Sequence, residues 1–198
     1  MLFIITRLLC CAIIFLTGCI VVSRIRISKP KLVSFGLLIL SVILIVVLSL
    51  IPIETAFISF SSVENSYKYN HIGKVESVIE GKTTDLVVGK NNKIYSIVII
   101  PKAQYGWKLG MPLETKTVKK VISDNLVIRI YQYSNTNEYY LSVLDMSGNK
   151  CKLSDNTQSN FWETENKDNK LYTYYSYLGD FNEQYILYVN GNAMPIFT

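Results

Sequence analysis

Two long apolar runs precede a chain of short alternating ones. Residues 32–53, LVSFGLLILSVILIVVLSLIPI, carry no charge over 22 residues. A helix rises about 1.5 Å per residue, so about 20 apolar residues cross a hydrocarbon core of about 30 Å. The run therefore predicts a transmembrane helix that closes at Pro52. Residues 1–22 predict another, interrupted by Arg7. An arginine costs about 2.5–3.5 kcal/mol at a bilayer centre, but near the end of a span its stem carries the charge to the headgroups. Residues 23–31 form a short basic linker holding Arg24, Arg26, Lys29 and Lys31.

Beyond residue 54 the pattern changes. Strand-forming residues dominate and turn signals recur about every ten residues, which argues for antiparallel sheet. Ser61 stands three residues before Glu64, a capping-box spacing that predicts one short helix near 62–70, ended by Asn70 and Gly73. Strands are expected at 74–80, 84–88, 94–100 (stopped by Pro101), 115–122, 126–133, 139–146, 171–178 and 184–189. Asn190-Gly191 predicts a hairpin whose second strand, 193–197, contains Pro195 and belongs at a sheet edge. Residues 101–113 and the polar stretch 154–170 read as loops. The expected fold is thus two N-terminal transmembrane helices followed by a mainly antiparallel, β-rich α+β domain over 54–198.

Charge adds a direction. Residues 54–198 hold 15 Lys+Arg against 15 Asp+Glu, so the whole formal charge of +5 lies in the first 31 residues. Basic residues in short loops hold those loops in the cytoplasm. The linker is then cytoplasmic, and both termini and residues 54–198 lie outside an integral cell-membrane anchor. A neutral domain of this kind also argues against a nucleic-acid partner. A rival reading starts from Leu16-Thr17-Gly18-Cys19, which resembles a bacterial lipoprotein processing site with Cys19 as the lipidated residue. It would place the C-terminal domain inside, against the charge asymmetry. The apolar run also continues through Ile20, Val21 and Val22.

The block IIPKAQYGWKLG (99–110), followed by ISDNLVIRIYQYSNTNEYYLSVLD (122–145), resembles small membrane-anchored extracytoplasmic proteins of low-GC Gram-positive bacteria that have no assigned activity. The resemblance implies an envelope location and no chemistry.

Candidate chemistry is sparse. Cys10, Cys11 and Cys19 fall in the first span, leaving Cys151 alone in the domain, where it reads as a buried small hydrophobe, an intermolecular disulfide partner or a reactive thiol. His71, the only histidine, reads as a solvated loop residue and excludes a multi-histidine metal site. No glycine-rich phosphate loop is present, so no cofactor is expected. Carboxylates could serve as an acid–base pair. Glu163, Glu165 and Asp168 cluster in the polar stretch, and Glu76 and Glu80 share a face of one strand. Aromatic residues offer the other opening. Tyr172, Tyr174, Tyr175 and Tyr177 lie on one strand and Trp162 lies nearby, and such faces either bind sugars and peptides or pack across strands.

The leading expectation is a membrane-anchored extracytoplasmic binding or accessory module whose partner is an envelope protein, a wall polymer or a peptide. One alternative is a cell-wall hydrolase or transferase using paired carboxylates. Another is a small integral subunit packing against a larger membrane complex through Gly18, Ser34, Gly36 and Ser41.

Overall fold

The structure, a computed structural model, describes residues 2–24, 30–50, 57–92, 94–110, 114–123, 125–134, 136–166, 170–179 and 181–197. Unbroken apolar sequence gives helices α1 (Leu2–Arg24) and α2 (Pro30–Leu50), which pack on each other. Their seam is built from small and buried groups: Cys11, Val22 and Ser41 are buried, and a Cβ on Gly18 would meet Leu37 at 3.1 Å. Gly36 has open space around it and takes no part in the seam. Arg7 is 4% exposed, covered by protein rather than reaching out to headgroups.

Two transmembrane helices were expected; among the described residues one helix, Ile5–Arg24, is long and apolar enough to cross a membrane. The apolar part of α2 is shorter, Lys31–Val47, and the expected end at Pro52 lies outside the described residues. Arg26 and Lys29 also lie outside them, whereas Arg24 and Lys31 are exposed. Cys19 sits within the unbroken α1.

The rest of the chain is β-rich with one short helix, α3 (Val63–Asn70). Its cap is Ser62, whose Oγ accepts the Asn65 N–H at 3.2 Å, one residue later than the spacing implied. Among the described residues twelve strands follow: β1 (Lys74–Glu80), β2 (Thr84–Asn91), β3 (Ile94–Ala103), β4 (Gly106–Trp107), β5 (Thr115–Ser123), β6 (Leu126–Tyr133), β7 (Tyr139–Asp145), β8 (Leu153–Asp155), β9 (Trp162–Asn166), β10 (Leu171–Gly179), β11 (Ile186–Val189) and β12 (Asn192–Pro195). All pairings are antiparallel. The sheet orders are β1-β2-β3-β4, β5-β6-β7-β10-β9 and β12-β11-β8.

Side-chain alternation stacks these elements in four layers. On one face of the first sheet, Val87 and Ile100 meet Val63 and Tyr67 of α3. Ile79, Leu86, Val88 and Ile99 on its other face meet Tyr133, Tyr140 and Tyr175 of the second sheet. The far face of the second sheet, with Ile128, Ile130, Leu141, Val143 and Tyr174, meets Tyr185, Leu187 and Ile196 of the third layer. A strand alternates faces every residue, so covering both faces buries nearly every position. That is the observed pattern of β2, buried from Thr84 to Gly89.

Two expectations are corrected. β3 runs through Pro101, whose carbonyl accepts the Lys108 N–H at 2.9 Å. The proline nitrogen points to the same side, toward the two-residue β4, where the ladder is ending and a missing N–H costs little. The stretch 154–170 is not a plain loop: it holds most of β8 and all of β9. β9 pairs only with β10 and turns only Thr164 fully inward, so an edge strand here looks like polar loop sequence. At the opposite edge, β5 bears Lys116, Lys119 and Lys120 and is bulged between Thr117 and Lys119. The Asn190-Gly191 hairpin forms as expected, with φ of 52° and 84°, and β12 lies at an edge.

Candidate functional site

The densest polar cluster lies where the turn between β1 and β2 meets the start of β7. The turn is Gly81-Lys82-Thr83, and Glu138 immediately precedes β7. Glu138 is 5% exposed and reaches across from the second sheet to the first. Its Oε1 accepts the Thr83 N–H at 2.6 Å; its Oε2 accepts the Thr84 N–H at 2.9 Å and the Thr84 hydroxyl at 2.6 Å. Tyr140, fully buried on the face of β7 that looks at the first sheet, donates to the Thr84 carbonyl at 2.7 Å. Gly81 has to lack a side chain: a Cβ there would lie 2.2 Å from the Tyr140 hydroxyl oxygen and 2.6 Å from the Thr84 carbonyl.

The turn is gripped from its other side as well. Asp85, the next residue along β2, faces the opposite way and is 2% exposed. It accepts the Trp107 Nε1–H at 2.6 Å and pairs with Lys102 Nζ at 2.9 Å, while Lys102 also donates to the Gly81 carbonyl at 2.7 Å. A buried carboxylate is tolerated when its charge is compensated: Asp85 is paired with Lys102, and Glu138 is held by hydrogen bonds from Thr83 and Thr84.

Electrostatics decide what this cluster can do. Burial pushes the Glu138 carboxyl up, but the hydrogen bonds from Thr84 and Thr83 outweigh it and hold the group below its ordinary value. Burial foremost pushes the Tyr140 hydroxyl far above the ordinary tyrosine range, so it remains a donor. Glu138 is thus ionised and committed to three donors, the reverse of a general acid. A depression of about 310 Å³ opens beside it, lined by Lys82, Thr83, Thr136, Asn137, Glu138 and Tyr177. It offers polar groups and one aromatic ring, and a single carboxylate. The chemistry available is recognition of a small polar group.

The residues singled out in the sequence do not converge. Tyr172 and Tyr174 face the third layer, and Tyr175 and Tyr177 face the first sheet. Tyr174 and Tyr175 are buried, Tyr172 and Tyr177 half-buried, and Trp162 is 38% exposed on β9. The tyrosine strand is core packing rather than an open aromatic face, because β10 lies inside a sheet covered on both sides. Glu163 pairs with Lys150 at 2.6 Å near the surface, Glu165 is exposed, and Asp168 lies outside the described residues. Glu76 and Glu80 are exposed on the edge strand β1.

His71 is packed rather than solvated. Its ring stacks on Tyr67 at 4.9 Å and 14°, its backbone N–H closes α3 on the Tyr67 carbonyl, and burial foremost lowers its pKa. Among the described residues no group of three or more His, Cys, Asp or Glu could hold a metal ion.

Cys151 is half-buried, and its thiol is pushed up to about 11, by burial first and by its hydrogen bond with Asp145 second. A free cysteine titrates near 8.5, so the thiolate at neutral pH falls by about two orders of magnitude. With Cys10, Cys11 and Cys19 replaced by alanine, the folded protein should react with a maleimide at least about 100-fold more slowly than an unfolded control. Equal rates would refute the buried assignment.

The Glu138–Asp85 cluster was not anticipated, yet one signal for it exists. Asp85 directly precedes the apolar run Leu86-Val87-Val88 in the same strand, and a charge in a doubly covered strand demands a partner. Comparison with known proteins returns no match: no family model, no curated protein and no solved structure aligns with the chain.

Proposed function

We propose that the chain is a membrane-anchored accessory module of the cell envelope, with its β domain outside the cytoplasm and a binding rather than a catalytic role. One observation carries the anchor. On α1, Leu8, Leu9, Ile13, Leu16 and Ile20 are 52–59% exposed, a surface that only lipid or another apolar body covers. In this reading α2 is the second span, since 21 helical residues measure about 31 Å, close to the thickness of a hydrocarbon core. Arg24, Arg26, Lys29 and Lys31 then hold the linker in the cytoplasm, and both termini lie outside.

The binding role follows from what the carboxylates are doing. Glu138 and Asp85 are engaged in holding a turn, and the remaining candidates are scattered over the surface. The depression beside Glu138 is where a small polar group of an envelope protein or wall polymer would seat. The small residues Gly18 and Ser41 already serve the α1–α2 seam, which leaves less for packing into a larger complex.

The topology is tested with Glu183→Cys, an exposed site in the turn before β11. A membrane-impermeant maleimide should label it in intact cells expressing the full chain. Labelling only after the membrane is opened would put the domain in the cytoplasm and overturn the reading.

A further inference from the structure

We propose that the α3 layer of the domain rests on the bilayer that holds α1, through a collar of apolar and aromatic side chains set in the lipid headgroup region. The inference rests on the anchored reading above. Its starting point is that α1 touches α3, so this layer of the domain lies beside the candidate span.

Around α3 the surface is unusually apolar. Phe57 is 87% exposed, Tyr105 80%, Ile72 65% and Ile58 41%. These positions are far apart in sequence and are brought to one side of the domain by identifiable contacts. Phe60 and Trp107 exchange backbone hydrogen bonds at 2.8 and 3.0 Å, which sets the β3–β4 turn, with Tyr105 in it, beside residues 57–60. Lys108 Nζ donates to the Ile58 carbonyl at 3.4 Å, and the Ser66 hydroxyl of α3 donates to the Lys108 carbonyl at 2.7 Å. Phe60 packs against Tyr69 of α3 with ring centroids 5.4 Å apart. Ile72 follows His71, the residue that caps the other end of α3.

The composition fits lipid headgroups better than a protein partner. Aromatic rings with a polar tip settle at membrane interfaces, and Tyr105 presents that combination on a protruding turn. Lys68 is exposed on α3 itself and Lys108 lies beside Ile58, placing ammonium groups where lipid phosphates would meet them. α1 touches α3, so a lipid phase around α1 would reach the collar as well.

The test is photocrosslinking of the full chain in vesicles of phosphatidylethanolamine and phosphatidylglycerol. Benzoylphenylalanine is placed singly at Phe57, Tyr105, Ile13 and Ala193. All four positions are exposed, so each substitution leaves the packing intact. Ile13 reports the anchor, and Ala193, on the third sheet, reports solvent. The expected result is lipid adducts at 13, 57 and 105, with yields at least tenfold above position 193. Lipid adducts at 13 alone, or protein adducts at 57 and 105, would overturn the collar while leaving the anchor standing. No lipid adduct at 13 would overturn both.

Discussion

Glu138→Ala should lower the stability of the β domain by about 2–5 kcal/mol, because it strands the Thr84 N–H and hydroxyl in a buried site and weakens the hold on the Thr83 N–H. Each unsatisfied buried donor costs about 1–3 kcal/mol, and water entering from the adjoining depression sets the low end of the range. Glu138→Gln should be milder, since it keeps one carbonyl acceptor while turning an amide toward donors. The pH dependence carries its own sign. The folded-state pKa of Glu138 lies below the ordinary value of 4.5, so its contribution is complete above that value. It is lost as the pH falls from there through the folded pKa, because the unfolded chain then binds the proton first. Denaturant titrations of the full chain in micelles, followed by circular dichroism at neutral pH and near pH 4, measure both effects. Wild-type midpoints for Glu138→Ala would show that the clamp does not hold the sheets together. The Gln variant should also lose less stability on acidification than the wild type.

Gly89→Ala should be as damaging for a different reason. A Cβ at Gly89 would lie 1.8 Å from the Tyr67 hydroxyl oxygen and 2.3 Å from its ring carbon Cζ. Tyr67 cannot step aside: it is fully buried, its hydroxyl is 3.1 Å from Ser96 Oγ, and its ring is stacked on His71. Overpacking a filled core costs about 1–3 kcal/mol and more where the displaced group is an immobile ring. Tyr67→Ala alone should cost about 3–5 kcal/mol through lost burial and the cavity left behind. The two substitutions share one cause. Gly89→Ala placed in the Tyr67→Ala background should therefore cost under about 0.5 kcal/mol, giving a coupling of about 2 kcal/mol in a double-mutant cycle. Additive effects would mean that the helix does not depend on this notch.

These sites mark where sequence reading stops. The short helix, the strand-rich domain and the Asn190-Gly191 hairpin were legible because local rules determine them: a capping serine, β-branched and aromatic runs, and a dipeptide that accepts positive φ. β9 was missed because WETEN is polar for the same reason that any exposed edge is polar. Pro101 was read as a stop because its local rule is strict, and it was overridden because the neighbouring strand is only two residues long. Strand alternation divides the tyrosines of β10 between two faces. That both faces would be covered depends on how the sheets stack, which no single strand encodes. Glu138 is the clearest case. Its partners, Thr83 and Thr84, lie more than fifty residues away, and nothing local distinguishes it from a solvated glutamate.

If the domain is tethered to a membrane as proposed, the lysine-bearing, bulged edge of β5 gains a consequence. Anchoring confines copies to two dimensions, where neighbouring domains meet far more often than they would in solution. A free sheet edge is a template for another strand, and such encounters would zip domains together. Two β5 edges that approach each other instead bring Lys116, Lys119 and Lys120 face to face with their counterparts, and the bulge breaks the register that pairing needs. On the anchored reading, the charge that makes this strand look unremarkable would keep crowded domains from zipping into a fibre.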